Sequence, residues 1–173
     1  MCENELTIRG RGGVMSCLAA IRGEPNKDGP CYIDFERIAP TPANVDWYKW
    51  RVGTQKNNYE DAHWGVKWNA ARSFLGNNAT DKKAKIWFDT IWRPPEPIIV
   101  ELSRQYPQLT FLLKYWEGEY GFKGVFEVRA EWVIRDRTYH YNGDRGGFPV
   151  PEYGTTCYID SNGVCRPSKE TQS

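Results

Sequence analysis

Leu6 and Ile8 alternate with Glu5, Thr7 and Arg9 before Gly10, a period of two that predicts a half-buried strand. Val14, Cys17, Leu18 and Ile21 then recur at helical spacing ahead of Gly23, which predicts a short helix closed by a glycine cap. Tyr32 to Ile38 reads as a second strand, broken by Ala39-Pro40-Thr41-Pro42 because proline lacks an amide proton and restricts the residue before it. From Asn44 to Thr80 the chain is irregular and polar, an insertion that decorates the core. Within it, Trp64, Val66 and Trp68 alternate with Lys67 and Asn69, so a strand with both tryptophans on one face is predicted. Ala84, Ile86, Phe88 and Thr90 alternate with Lys85, Trp87, Asp89 and Ile91, a mostly apolar pair of faces that suits a strand inside a sheet.

Pro94, Pro95 and Pro97 mark a helix start, where a missing amide proton costs nothing, and Ile98, Leu102 and Tyr106 form its inward face. Leu109 to Trp116 returns as a strand. Its partner starts near Phe122 and alternates as far as Ile134, with Phe126, Val128, Ala130, Trp132 and Ile134 on one side. This succession of strands and helices predicts an α+β class, helices layered on an antiparallel sheet. Beyond Tyr141 glycine, proline and polar residues take over, so the division is a domain over 1–141, with its insertion at about 44–80, and an extension over 142–173 carrying a candidate small hairpin at Asn162-Gly163.

Composition narrows the function classes. The chain has 173 residues and is 40% hydrophobic, enough for one principal core. Its 23 basic and 22 acidic residues leave a net charge of +1, so nucleic acid or anionic lipid would have to be met by a local patch. Aromatics make up 14%, with eight tryptophans, more than a small core needs, which points some rings toward a binding surface. No apolar run approaches the roughly 20 residues that span a bilayer, and Met1-Cys2-Glu3-Asn4-Glu5 is unlike a secretory leader, so a cytoplasmic protein with no membrane partner is expected. Five cysteines without close pairing fit a reducing compartment, although Cys157 and Cys165 flank a turn and could bridge under oxidation.

Catalytic and metal chemistry find little support in the residues. His63 and His140 are isolated, no Cys-x-x-Cys occurs, and neither a metal nor another cofactor is expected. Cys17 falls on an apolar helix face, and neither Cys2 nor Cys31 has a histidine beside it in sequence. Glu117 with Glu119, or Asp34 with Glu36, could divide acid and base roles, but such pairs are usually solvated, and no enzyme activity is expected. Gly10-Arg11-Gly12-Gly13 precedes a helix but has neither the dinucleotide pattern nor the P-loop lysine, so it reads as a turn.

Rings interleaved with cations are the stronger signal. Trp47, Tyr48, Trp50 and Arg51, with Tyr59 and Arg93 in support, are the residue types that anchor protein interfaces, and near-neutral charge does not oppose that use. A nucleic-acid reading draws on Trp64, Lys67, Trp68, Lys82, Lys83 and Lys85, since bases stack on exposed rings while cations hold phosphates. Against it stand the small net charge and the missing RNP pattern.

The cassette Trp64-Gly65-Val66-Lys67-Trp68-Asn69-Ala70 and Phe88-Asp89-Thr90-Ile91-Trp92-Arg93-Pro94-Pro95 also carry a resemblance. Together with Cys2 to Gly10, Leu102 to Phe111 and Tyr115 to Gly124, they resemble the YubB-like ferredoxin-fold proteins of plasmids and bacteriophages, in blocks from about Cys2 to Val133. The resemblance implies a ferredoxin-like two-layer sandwich, an antiparallel sheet with two helices, to which the insertion and the C-terminal extension are added. It brings no established activity. What it implies is context: a small accessory protein of a mobile element in the bacterial cytoplasm, binding a host protein or protein–nucleic acid complex, for example as an inhibitor of host defence such as an anti-CRISPR. A single-stranded nucleic-acid-binding module is the alternative, and an enzyme of unknown class the second.

Overall fold

The computed structural model describes residues 1–27, 29–43, 60 and 62–146 in full, and the backbone of three further strands between 149 and 167. Strand β1 (Cys2–Arg9) forms as its alternation predicts and leads into α1 (Val14–Ile21), whose buried residues are Val14, Cys17, Leu18 and Ile21. The start of α1 is closed by a residue far away in sequence. The Asp81 carboxylate accepts from the amides of Gly13 at 3.0 Å and Met15 at 3.1 Å, so the glycine-rich turn already holds an anion from its own chain.

Where a second strand is predicted, Phe35–Ile38 forms a one-turn helix, α2. Asp34 caps it by accepting from the Glu36 amide at 3.0 Å, and Phe35 and Ile38, three residues apart, are both buried. A capping aspartate and an i, i+3 apolar pair outweigh the weak alternation seen in sequence. The cassette is likewise not a strand. Gly65 adopts φ 77, Trp64 and Val66 are buried, and Trp68 points outward, 56% exposed. A Cβ on residue 65 would lie 2.5 Å from Pro97 Cδ, so the sequence turns there against the start of the next helix.

Strand β2 (Ala71–Leu75) lies inside the segment read as irregular, followed by β3 (Lys83–Thr90), α3 (Glu96–Gln105), β4 (Thr110–Glu117), β5 (Phe122–Arg129) and β6 (Trp132–His140). The predicted continuous strand to Ile134 is two strands. Ala130 and Glu131 take φ 47 and φ 66 and form a tight turn, so Arg129 pairs with Trp132. Strand β6 is the edge strand and none of its residues is buried: Val133, opposite buried Val128, is 51% exposed, and Trp132 and Ile134 are 80% and 57% exposed.

These strands form one sheet in the order β2-β3-β1-β4-β5-β6, every neighbour antiparallel. The first four with α1 and α3 make a βαββαβ unit in ferredoxin-like order, and β5 and β6 extend it. Leu6, Ile8, Ile86, Phe88, Phe111 and Leu113 share one face and join the helices in the main core. Strand β3 is internal, as predicted, but its second face is not buried as its first is: Trp87 is partly open.

The extension adds β7 (Pro149–Glu152), β8 (Thr155–Ile159) and β9 (Cys165–Pro167) as a separate antiparallel ladder. Strands β8 and β9 flank the predicted Asn162-Gly163 turn, which itself lies outside the described residues. Cys165 stands opposite Ile159 and Cys157 opposite Pro167, so the two cysteines are not direct cross-strand partners. No described helix is long and apolar enough to cross a membrane.

Candidate binding face

The helices cover one side of the sheet, and the odd-numbered residues of β1 face the other. Glu3, Glu5, Thr7 and Arg9 stand opposite Asp89, Trp87, Lys85 and Lys83 of β3 and opposite Trp116, Lys114, Leu112 and Thr110 of β4. Charge on this face is mixed and paired. Lys85 Nζ lies 3.0 Å from Glu5 Oε1, Trp87 Nε1 donates to Glu5 Oε2 at 3.3 Å, and Arg72 pairs with Asp89. Arg72 reaches Asp89 because the β2–β3 ladder slips between Ala71 and Phe74, and Arg72, within the slip, has φ 44. Further along, Glu127 takes both Arg9 and Arg135, the latter at 3.3 Å.

Two halves of the face differ in cover. Over β4 and β5, Leu112, Trp116 and Val125 form a second small apolar cluster with Tyr139 and Tyr141 packed on it. The chain after β6 folds back here: Tyr141 N donates to Gly121 O at 2.7 Å, and Lys123 Nζ donates to Asp144 O and Gly146 O, each at 2.6 Å. Arg145 then lies over the Trp116 ring, 5.4 Å from its centroid, and pairs with Glu3. Over β1, β3 and β2 the face is open. Phe74 and Trp87 are cross-strand partners, 63% and 38% exposed, and Lys85 Nζ sits 5.9 Å from the Trp87 centroid. A cleft of about 530 Å³ runs between these rings, the carboxylates of Glu3, Glu5 and Asp89, and the two arginines.

A family model described as the ferredoxin-like domain in Api92-like protein matches residues 63–149, from the cassette through β6. The chain belongs to this family. In three dimensions it is similar to the crystal structure of Api92 from Yersinia pseudotuberculosis, with a TM-score of 0.50 and 15% identity over 67% of this chain. The match covers 43% of that protein, so the chain spans less than half the length of this relative. At such identity the likeness shows the fold. No curated protein matches the chain.

In this Api92-like chain the sequence-predicted residues scatter. Trp64 belongs to the core, edge-on to Phe35 with centroids 5.8 Å apart, and its Nε1 donates to Ala39 O at 2.8 Å. Lys67 lies 5.5 Å from the Trp92 centroid, Trp68 is exposed, and Lys82 sits in an exposed turn whose carbonyl accepts from Gly10 N at 2.9 Å. Lys83 and Lys85 do reach the open face, and Arg93 is exposed beyond β3. Trp47, Tyr48, Trp50, Arg51 and Tyr59 lie outside the described residues. Sequence reasoning missed Glu3, Glu5, Phe74, Trp87 and Arg145 as a group. Their one local signal was the second alternating set of β3, Lys85-x-Trp87-x-Asp89, too rich in ring and charge for a buried face.

The other candidates of the Api92-like domain have structural work. Burial pushes the Cys2 and Cys17 thiols up to about 12, the wrong direction for a nucleophile, and burial also raises Cys31. Asp34 caps α2 and accepts from Asn69 Nδ2 at 2.6 Å, while Glu36 takes the Thr41 amide at 2.7 Å and hydroxyl at 2.8 Å. Glu117 is buried and accepts from the Glu119 amide at 3.0 Å. Among the described residues, no three of His, Cys, Asp and Glu converge as metal ligands. At the far end of the face, Arg9, Arg11 and Arg129 line a second cleft of about 590 Å³.

Proposed function

We propose that the protein is a non-enzymatic accessory protein that works by binding another protein, and that its contact surface is the open half of the sheet. The observation that carries this reading is the Phe74–Trp87 pair, two large rings side by side in solvent, bordered by Arg72 and Lys85, each already matched to a carboxylate. Rings and arginine are what protein interfaces concentrate, whereas a nucleic-acid strand needs cations left available for its phosphates. The resemblance to YubB-like proteins of plasmids and phages supports a mobile element as the bearer and the bacterial cytoplasm as the compartment. The partner class is then a host protein or protein–nucleic acid complex, with defence effectors such as CRISPR complexes as the targets. Trp47, Tyr48, Trp50, Arg51 and Tyr59 remain proposed contributors on sequence grounds, as does Arg93.

One observation favours a second reading, single-stranded nucleic acid. Lys85 flanks the Trp87 ring, and among the described residues Lys83, Arg11 and Arg129 pair with no carboxylate. The tagged protein should be passed through host lysate with and without nuclease, beside a variant carrying Phe74→Ser and Trp87→Ser. A stoichiometric protein that survives nuclease and is lost with the variant supports the interface. Capture of nucleic acid only would replace it with the second reading, and a protein partner retained by the variant would remove the open face as the contact surface.

A further inference from the structure

We propose that the cleft over β1, β3 and β4 recognises a guanidinium group, presented by an arginine of the protein partner, and that Arg145 is an intramolecular occupant that the partner's arginine displaces. This rests on the protein-binding reading of the open face and names what that face grips.

The chemistry begins with Glu3 and Asp89, direct cross-strand partners on the same face. Like charges in that relation repel, so a sheet that keeps both carboxylates has a standing demand for cations between them. Arg72 meets Asp89 from the β2 side, yet its side chain is 61% exposed while that of Asp89 is 13% exposed. Burial raises the Asp89 pKa, and the Arg72 pair does not offset that desolvation of its carboxylate. Glu3 is more accessible, 51% exposed, and can be reached by an incoming group.

The walls select the shape of the cation. Trp116 offers a ring face beneath Arg145, and Trp87 and Phe74 line the opposite side. A planar guanidinium can stack on a ring while its fork meets a carboxylate, which a lysine ammonium does less well. Arg145 does both at once, over Trp116 and against Glu3, and so shows the ligand class the cleft accepts.

How Arg145 is delivered explains why it can leave. It lies on an exposed loop fastened by Lys123 to the carbonyls on either side of it, with Gly146 N donating to Asp144 Oδ1 at 2.8 Å. Those bonds hold the loop backbone and do not depend on the arginine side chain, which is 54% exposed. Exchange of one guanidinium for another therefore leaves the loop backbone fastened, while Arg145 gives up its contacts to Glu3, the Trp116 ring and the Tyr141 side chain.

N-acetyl-arginine amide is the probe, titrated into the full chain while the indole resonances of Trp87 and Trp116 are followed by NMR. A ligand of this size is expected to bind with a Kd on the order of 1 mM. Arg145→Ala should tighten it by about threefold or more, because the competing occupant is removed. Glu3→Gln with Asp89→Asn should abolish saturation, and N-acetyl-lysine amide should bind about tenfold more weakly. Arg145→Lys serves the same purpose if the alanine variant does not fold. Equal affinity in wild type and the Arg145 variants, or no saturable shift in any of them, overturns the proposal. If the host partner is still captured through Phe74 and Trp87 after such a failure, the interface stands and only its guanidinium chemistry is wrong.

Discussion

Tyr115 lies across Gly124 of the neighbouring strand, its ring in the space a side chain at 124 would need. The two are direct partners in the β4–β5 ladder, and a Cβ on residue 124 would fall 2.1 Å from the Tyr115 hydroxyl oxygen. That hydroxyl is held by Thr138 at 2.9 Å, so the ring ties β4 to β6 over a glycine gap. Gly124→Ala should destabilise the protein by about 1–3 kcal/mol through overpacking. Combined with Tyr115→Ala it should cost less than the two singles added together, since the clash is gone. Urea unfolding of the four proteins in the cycle checks this, and additive costs would show that the two side chains do not compete for space.

Trp64 and Trp68 should behave as opposites although sequence groups them. Trp64→Ala removes a buried ring and its hydrogen bond to Ala39, and should cost about 3–5 kcal/mol. Trp68→Ala, at an exposed site, should stay within about 0.5 kcal/mol. Equal losses in urea unfolding would mean that the cassette packs as a strand after all.

Alternation made β1, β3 and the start of β5 legible, because each sets one apolar face against the helices, while β4, buried on both faces, was read as an apolar run. Three places escaped it for separate reasons. At Phe35 a capping aspartate decided the local structure; at Gly65 contact with Pro97 did; at Ala130-Glu131 a tight turn split the strand without any glycine to announce it. Of the residues singled out in sequence, Lys83 and Lys85, named for the nucleic-acid reading, lie on the open face. Its other members come together through pairings far apart in sequence, Arg145 with Glu3 or Phe74 with Trp87, and no local period encodes those.

The Ala130-Glu131 turn uses positive φ at both central positions without the residues that tolerate it. Ala130→Asn with Glu131→Gly supplies the sequence such turns favour and keeps the Glu131 backbone amide that donates to Ser103 Oγ at 2.9 Å. The pair should raise stability by about 1 kcal/mol, seen as a higher thermal midpoint. A lower midpoint would indicate that the Glu131 side chain contributes more than the strain costs.

Thiol reactivity should follow burial. Cys2 and Cys17, with thiols pushed up to about 12, should resist iodoacetamide at pH 8 until the protein unfolds, while half-buried Cys31 reacts sooner. Peptide mapping by mass spectrometry over a labelling time course separates the sites. Rapid native labelling of Cys17 would contradict its place on the buried face of α1.

Asp89 makes a prediction whose sign runs against the usual behaviour of a paired carboxylate. Desolvation lifts its pKa, and the Arg72 ion pair opposes that without prevailing. The folded state therefore holds the proton more tightly than the unfolded chain, whose aspartate titrates near ~3.9. In the window between that value and the raised folded one, the folded state binds more protons, so stability falls as pH rises and the full penalty is present above the folded pKa. Asp89→Asn removes both this penalty and the repulsion from Glu3, at the loss of an ion pair to a largely exposed arginine. At pH 7 the variant should equal wild type or exceed it by up to about 1 kcal/mol, and the gap should close toward pH 4 as the wild-type carboxyl becomes neutral. Urea unfolding at pH 4, 5, 6 and 7 reads the slope directly. A variant clearly weaker at pH 7, with its deficit shrinking on acidification, would mean that Arg72 holds Asp89 ionised and that the cleft floor carries no unmet demand for positive charge.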